Sequence, residues 1–300
     1  MSTPRLIPAA MAVVLFAALA AGQASAQPPS LTNGRVTVQP ASASFEQQVR
    51  QIAAAAPEPT WIGWSAPARN PERDNCCWST NNGITNCGCR LEETGSTSSG
   101  SPAGVPGKVE LEPKHQLLVL VRAQDKLLQR VVAYSDSCNI DAGGRPVIWI
   151  EGAPPAGSVA LMAKISTETQ ADGKLAKIAT SAMAVLAQHA DPSADRALIE
   201  MARNGTATRV REQALFWLAQ AAGQKAIPTI VGAIDQDPDT DVKKRAVFAL
   251  SQLPKDDGVP RLIDVARTNR NPEVRKQAMF WLGQSHDPRA LRFFEEILTK

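Results

Sequence analysis

The chain has 300 residues, 44% hydrophobic and 5% aromatic, with 32 basic against 29 acidic side chains and five cysteines. That length and apolar content allow one large domain or two modest ones. The near balance of charge excludes the concentrated basic field that binding to phosphates demands, so no nucleic-acid partner is expected.

The opening MSTPRLIPAAMAVVLFAALAAGQASA carries Arg5, an apolar run from Ile7 to Ala21, and small residues Ala24 and Ala26 ahead of Gln27. This is the pattern of a secretory signal peptide with an A-x-A cleavage site. The run falls short of the roughly twenty apolar residues that span a bilayer, and nothing later is apolar enough to do so. Residues 1–26 are therefore expected to be removed after Ala26, leaving an exported protein, periplasmic or secreted, with no membrane contact. No cysteine at the cleavage point offers a lipid anchor.

Residues 27–43, rich in Pro, Ala, Ser and Gln, read as a disordered leader. Ser44 then stands three residues before Gln47, the capping-box spacing, and Phe45, Val49 and Ile52 follow at helical intervals to about Ala56. Beyond Pro57 the pattern changes to short apolar runs: WIGWS, GKVELE, HQLLVLVRA, LLQRVVAYS and RPVIWI. Turn chemistry at Asn82-Gly83 and Asp141-Ala142-Gly143-Gly144 separates them. Residues 44–170 are thus expected to form a small antiparallel β-rich module with a mobile loop near 92–108. Ser158 is placed to cap a helix through Ile165, and Gln170 to Gly173 reads as a junction.

Residues 174–300 repeat themselves. VREQALFWLAQ from Val210 returns as VKKRAVFALSQ from Val242 and VRKQAMFWLGQ from Val274, each thirty-two residues on. The register extends one unit earlier: Ile178, Val210, Val242, Val274; Ala182, Ala214, Ala246, Ala278; Leu186, Leu218, Leu250, Leu282. A second helix per unit aligns Leu198, Ile230, Leu262 and Phe294. Four units of two helices at this period are the signature of a helical solenoid. Asp239 and Asn271, the latter followed by Pro272, stand where N-caps belong. The overall class is therefore α+β, with an all-α solenoid behind the β-rich module, which is expected to cap its first unit.

The phrases DPDTDVKKRAVFALSQL and RNPEVRKQAMFWLGQS resemble short HEAT repeats of the bacterial, PBS-lyase-like kind, over about Lys174 to Lys300. That resemblance implies a protein-binding scaffold, since the family includes few enzymes. The first half resembles secreted bacterial proteins in which a Cys-bearing module precedes such repeats; no activity comes with it.

Five cysteines invite chemistry: Cys76, Cys77, Cys87, Cys89 and Cys138. Their spacing is not the paired C-x-x-C of a zinc knuckle, and an exported chain meets an oxidising compartment. Structural disulfides tying Cys76 and Cys77 across the Asn-Gly turn to Cys87 and Cys89 are expected; a metal site and a redox centre are the alternatives. Cys138 is left free, joined to another chain, or displacing one of the four. Asp235, Asp237, Asp239 and Asp241 imitate the start of a calcium loop, but Thr240 and Ala246 hold the places of its glycine and bidentate glutamate.

Arg211, Lys243 and Arg275 recur in register, with Lys244 and Lys276 beside two of them. A cation there opposes the helix dipole. It is either bonded to acidic residues of an adjoining unit, as the HEAT resemblance implies, or part of a basic ridge that greets a protein partner. Phe216, Phe248, Phe280, Trp217 and Trp281 fall at core periods. His115, His189 and His286 lack the His-Glu pairs of the HEAT-repeat di-iron hydroxylase, and no nucleophile elbow or phosphate loop is present. No catalytic residue, metal ligand or cofactor is assigned. The expected function is non-catalytic binding of another protein, with a metal- or thiol-dependent enzyme in the first module and a self-associating envelope protein as alternatives.

Overall fold

The computed structural model describes residues 31–72, 76–79, 85–87, 89–92, 116–168 and 173–299. The expected signal peptide, the expected Asn82-Gly83 turn, GKVELE, nearly all of the expected 92–108 loop, His115 and most of the expected Gln170–Gly173 junction lie outside those residues.

The central sheet is mixed, not purely antiparallel. Its strands are β2 (Arg35–Pro40), β3 (Thr60–Pro67), β7 (Gln116–Gln124), β8 (Leu127–Ser135) and β10 (Pro146–Glu151), in the order β2-β10-β3-β7-β8. β10 runs parallel to both β2 and β3, while β3–β7 and β7–β8 are antiparallel. The cause lies in residues 35–40, which form an edge strand where composition alone implied a disordered leader. Helix α1 (Phe45–Ala55) follows at once and carries the chain back, as a connection between strands of one direction requires. Its expected capping box does not form: Ser44 makes no side-chain cap bond. Instead Gln48 accepts from the Ser42 amide at 2.8 Å and donates to the Pro40 carbonyl at 2.9 Å, tying α1 to the end of β2.

Alternation along the strands divides the sheet's neighbours. Ile62, Trp64, Leu117, Val119, Val121 and Ile150 face the helices, whereas Trp61, Leu118, Leu120, Val147 and Trp149 face a smaller core that includes Cys76, Cys89 and Cys138. β3 is covered on both sides, which explains its unbroken apolar run. Gly63 is required there, because a Cβ would stand 2.7 Å from the Trp149 ring. The smaller core is closed by β1 (Leu31–Thr32) and β6 (Cys89–Arg90) flanking β9 (Ile140–Asp141), while β4 (Cys77–Ser79) and β5 (Thr85–Cys87) form a separate antiparallel pair. β7 and β8 turn through Asp125 and Lys126, both at positive φ, the backbone a two-residue hairpin needs to match strand twist.

Helix α2 (Pro155–Glu168) starts three residues before Ser158, so Ser158 is buried inside it and caps nothing. Four helix pairs follow: α3 (Gly173–Leu186) with α4 (Pro192–Asn204), α5 (Thr208–Ala222) with α6 (Ile227–Gln236), α7 (Thr240–Ser251) with α8 (Lys255–Thr268), and α9 (Pro272–Gln284) with α10 (Pro288–Leu298). The sequence register is realised in space. Ala182, Ala214, Ala246 and Ala278 are fully buried, as are Leu186, Leu218 and Leu250, with Leu282 nearly so. An alanine at each helix contact lets α5, α7 and α9 pack side by side. Asp239 and Asn271 cap α7 and α9 by accepting from Asp241 and Glu273 amides. The caps also link neighbouring units, since Asp239 accepts from Thr208 at 2.8 Å and Asn271 donates to Thr240 at 3.1 Å.

The two halves share one core that runs from Phe45 to Phe293. α3 packs on β8 and α2, and the end of β3 extends into the α3–α4 turn, where Ala68 bridges to His189. Arg69 completes the junction. Its amide donates to Gln188, and its guanidinium donates to the carbonyls of Ala187 and Ala221 at 3.0 Å and to Asp195 at 2.6 Å.

Candidate interaction surface on the helical array

The cations in register turn inward to hold the turns between units. Arg211 makes a two-pronged pair with Asp237, the C-cap residue that ends α6, at 2.7 and 3.1 Å and donates to the Gly205 carbonyl at 2.9 Å. Lys243 Nζ donates to the carbonyls of Ile234 and Asp235, at the end of α6. Arg275 donates to Asn269 and Arg270, just past α8. These bonds offset the dipole cost at the start of each helix by satisfying carbonyls left open at the end of the preceding one. Arg211, Lys243 and Arg275 therefore do not form an open basic ridge. Lys244 pairs with exposed Asp241 at 2.6 Å, and Lys276 is exposed.

An aromatic run occupies the face that these cations leave. Phe280 is 53% exposed, whereas Phe216, Phe248, Trp217 and Trp281 are half-buried, and the two tryptophans pack against the core. Phe216 and Phe248 stack with ring centres 5.9 Å apart; Phe248 meets Trp281 at 4.8 Å, and Trp281 meets Phe280 edge-on at 5.0 Å. Arg245 lies over both Phe216 and Phe248, at 5.2 and 4.7 Å. The indole N–H groups of Trp217 and Trp281 are buried without an acceptor among the described residues. An unmet buried donor of this kind costs about 1–3 kcal/mol. Trp281 also lines a cavity of about 240 Å³ with Leu253, Lys255 and Gln284. Helical spacing could not distinguish this face from a buried one, because both recur every 3.6 residues.

The four aspartates of the loop before α7 are engaged in building it. Asp237 accepts from Arg211 and the Asp239 amide, Asp239 caps α7, and Asp241 holds Lys244.

Two polar centres gave no sequence signal. The fully buried Trp64 indole donates to Ser158 Oγ at 2.7 Å, and Ser158 lies 2.8 Å from His189 Nε2. His189 Nδ1 is 2.9 Å from the Val185 carbonyl, which only accepts, so Nδ1 carries the proton and Ser158 donates to Nε2. Burial pushes the His189 imidazole below its ordinary range. This is a nucleophile and base pair by composition, but both residues are fully buried between α2 and the α3–α4 turn, so it locks the two halves together. On the other face of the sheet, Glu92 accepts from the Trp61 indole and from Arg122 and Arg145. Burial raises its carboxyl, yet the bonds from Arg122 and Trp61 bring it below the usual range.

The cysteines pair differently from the expected hairpin pattern. Cys76 is joined to Cys138, because β9 lies against β6 and brings Cys138 to the place expected for Cys89. Cys89 is a buried thiol whose Sγ lies 3.9 Å from the Cys76 carbonyl. Cys77 and Cys87 stand opposite each other in the register of the β4–β5 hairpin.

Residues 195–279 and, overlapping them, 227–300 match a family described as HEAT repeats. The matches begin within α4 and continue through the three complete helix pairs after it, so the C-terminal helical region is HEAT-like. No curated protein matches the chain. HEAT repeats commonly mediate protein–protein interaction. Among the described residues no helix is long and apolar enough to cross a membrane.

Proposed function

We propose that this protein is exported and binds another protein through the aromatic face of α5, α7 and α9, without catalysing a reaction itself. The single observation that carries this reading is the continuous ring-to-ring run Phe216–Phe248–Trp281–Phe280, which crosses three neighbouring helices and ends in the exposed Phe280. Exposed aromatic groups clustered on a rigid surface are the usual anchors of a protein interface. The partner that fits is a polypeptide segment with apolar side chains for the rings and carboxylates for Arg245 and Lys276. A signal peptide cleaved after Ala26 would deliver the protein to an oxidising compartment, consistent with its disulfide. The thirty-two-residue unit agrees with the short, PBS-lyase-like kind of HEAT repeat, and the Cys-bearing half with the secreted proteins it resembles.

The test uses the whole chain, because α3 rests on β8 and the array has no independent first unit. Tagged protein is used to capture partners from periplasmic and secreted fractions, alongside Phe280→Ala and Lys276→Glu. A polypeptide that the wild type retains and both variants lose, at unchanged melting temperature, supports the reading. Equal capture by all three sinks it.

Self-association is a second reading, favoured by Leu291 and Leu298 on α10, which are 61% and 83% exposed. Light scattering that finds only monomers removes it.

A further inference from the structure

The sulfur atoms of Cys76, Cys89 and Cys138 all lie within 4.8 Å of one another in the smaller core. Only two of three sulfurs can be joined at a time. In the structure the bond links Cys76 to Cys138, closing a separation of 62 residues, while Cys89 stands against both. Cys89 begins β6 and Cys138 precedes β9 by two residues, and β6 and β9 pair in register at Cys89 and Ile140, while Cys76 immediately precedes β4.

We propose that Cys76, Cys89 and Cys138 form an internal thiol–disulfide exchange centre, in which one bridge moves among three sulfurs without leaving the protein. Cys89 gives up its proton, and its thiolate attacks Cys76 Sγ. The Cys76–Cys89 bond forms as the Cys76–Cys138 bond breaks, and the departing Cys138 sulfur takes up the proton. One S–H and one S–S bond stand on each side, so the step consumes no oxidant or reductant. Attack on Cys138 Sγ gives the third isomer, Cys89–Cys138, with the thiol on Cys76. Exchange of this type proceeds through the thiolate, and the burial of all three sulfurs confines it to the centre.

The centre differs from a fixed structural bridge in what happens when one cysteine is removed. A fixed Cys76–Cys138 pair has no substitute, whereas three interchangeable sulfurs always leave a second pair. Trypsin releases Cys76 and Cys89 in the peptide Asp74–Arg90 and Cys138 in Val131–Lys164, because Arg145 precedes Pro146 and is not cut. The full chain is purified in oxidised form as wild type, Cys76→Ala, Cys138→Ala and the double variant Cys76→Ala/Cys89→Ala. Each is alkylated under acid quench and mapped by peptide mass with fragmentation.

In Cys76→Ala the two peptides are expected to remain joined, now through Cys89 and Cys138, and the joining is expected to be lost in the double variant. In Cys138→Ala the bridge is expected between Cys76 and Cys89. Folded Cys76→Ala with separate peptides and both remaining thiols alkylated overturns the proposal. Should Cys76→Ala not fold, Cys138→Ala decides by itself: alkylation of both Cys76 and Cys89 in that variant overturns the proposal equally.

Discussion

The sheet-bearing half and the helical array bury their side chains by opposite routes. In the array every contact is to the same unit or the next: Arg211 reaches Asp237 and Asp239 takes Thr208, all within about one period. In the sheet-bearing half, β2 pairs with a strand more than a hundred residues later, and the disulfide closes 62 residues. Local contacts are cheap in chain entropy and write a period into the sequence, while long-range ones are costly and leave none. Yet one core passes through both halves, and the Trp64–Ser158–His189 chain and Arg69 cross the boundary. They are therefore expected to unfold together in spite of their different construction.

The sharpest way to break that comparison is to damage one half and watch the other. Trp64→Ala removes a fully buried indole on the sheet side and is expected to cost about 3–5 kcal/mol. Helical circular dichroism and near-ultraviolet signals should shift together in one denaturant transition; two separate transitions would show independent halves. Within the array, Arg211→Ala leaves Asp237 buried without its cation and is expected to cost about 3 kcal/mol. The same measurement at Lys276→Ala, an exposed site, should show less than about 0.5 kcal/mol.

Acid should act through the boundary itself. The His189 imidazole has a lower pKa folded than unfolded, so the unfolded chain takes up the proton first. Stability from this group is complete above the ordinary histidine value of about 6.5 and is lost as pH falls below it, by at most about 1.4 kcal/mol per pH unit. Melting temperatures from pH 7.5 to 5 should show the slope, and His189→Gln should flatten it. A modest effect is expected at a cap: Asp239→Ala, which removes the bond from the Asp241 amide, should lower the denaturation midpoint less than Arg211→Ala does.

These same differences decide what could be read in advance. The array was legible to the residue, because Ile178, Val210, Val242 and Val274 each meet an equivalent neighbour and selection for one contact repeats through all. The strands β3, β7, β8 and β10 were legible as apolar runs. The parallel arrangement of β10 was not, since its edge partner β2 is a short, exposed strand in which only Val36 and Val38 alternate with polar residues in Pro- and Gln-bearing text. The place of Arg69, Ser158 and His189 was equally hidden: each is defined by a partner brought close only by folding. At the candidate surface the cations took the first of their two readings, ties at the turns between units, and of the aromatic groups read as core Phe280 is the exposed one. Periodicity reports that a stripe exists and not which neighbour covers it.

The two ends of the array are unlike, and this gives it a direction. Its beginning is occupied by β8 and by the extension of β3 through Ala68 and Arg69. At the other end α10 leaves Leu291 and Leu298 uncovered. A unit inserted ahead of α3 would have to displace the sheet, whereas one grafted beyond Leu298 would find an apolar landing already laid out. Lengthening this molecule is thus a one-way operation, and its reach can be altered without disturbing the half that holds the cysteines.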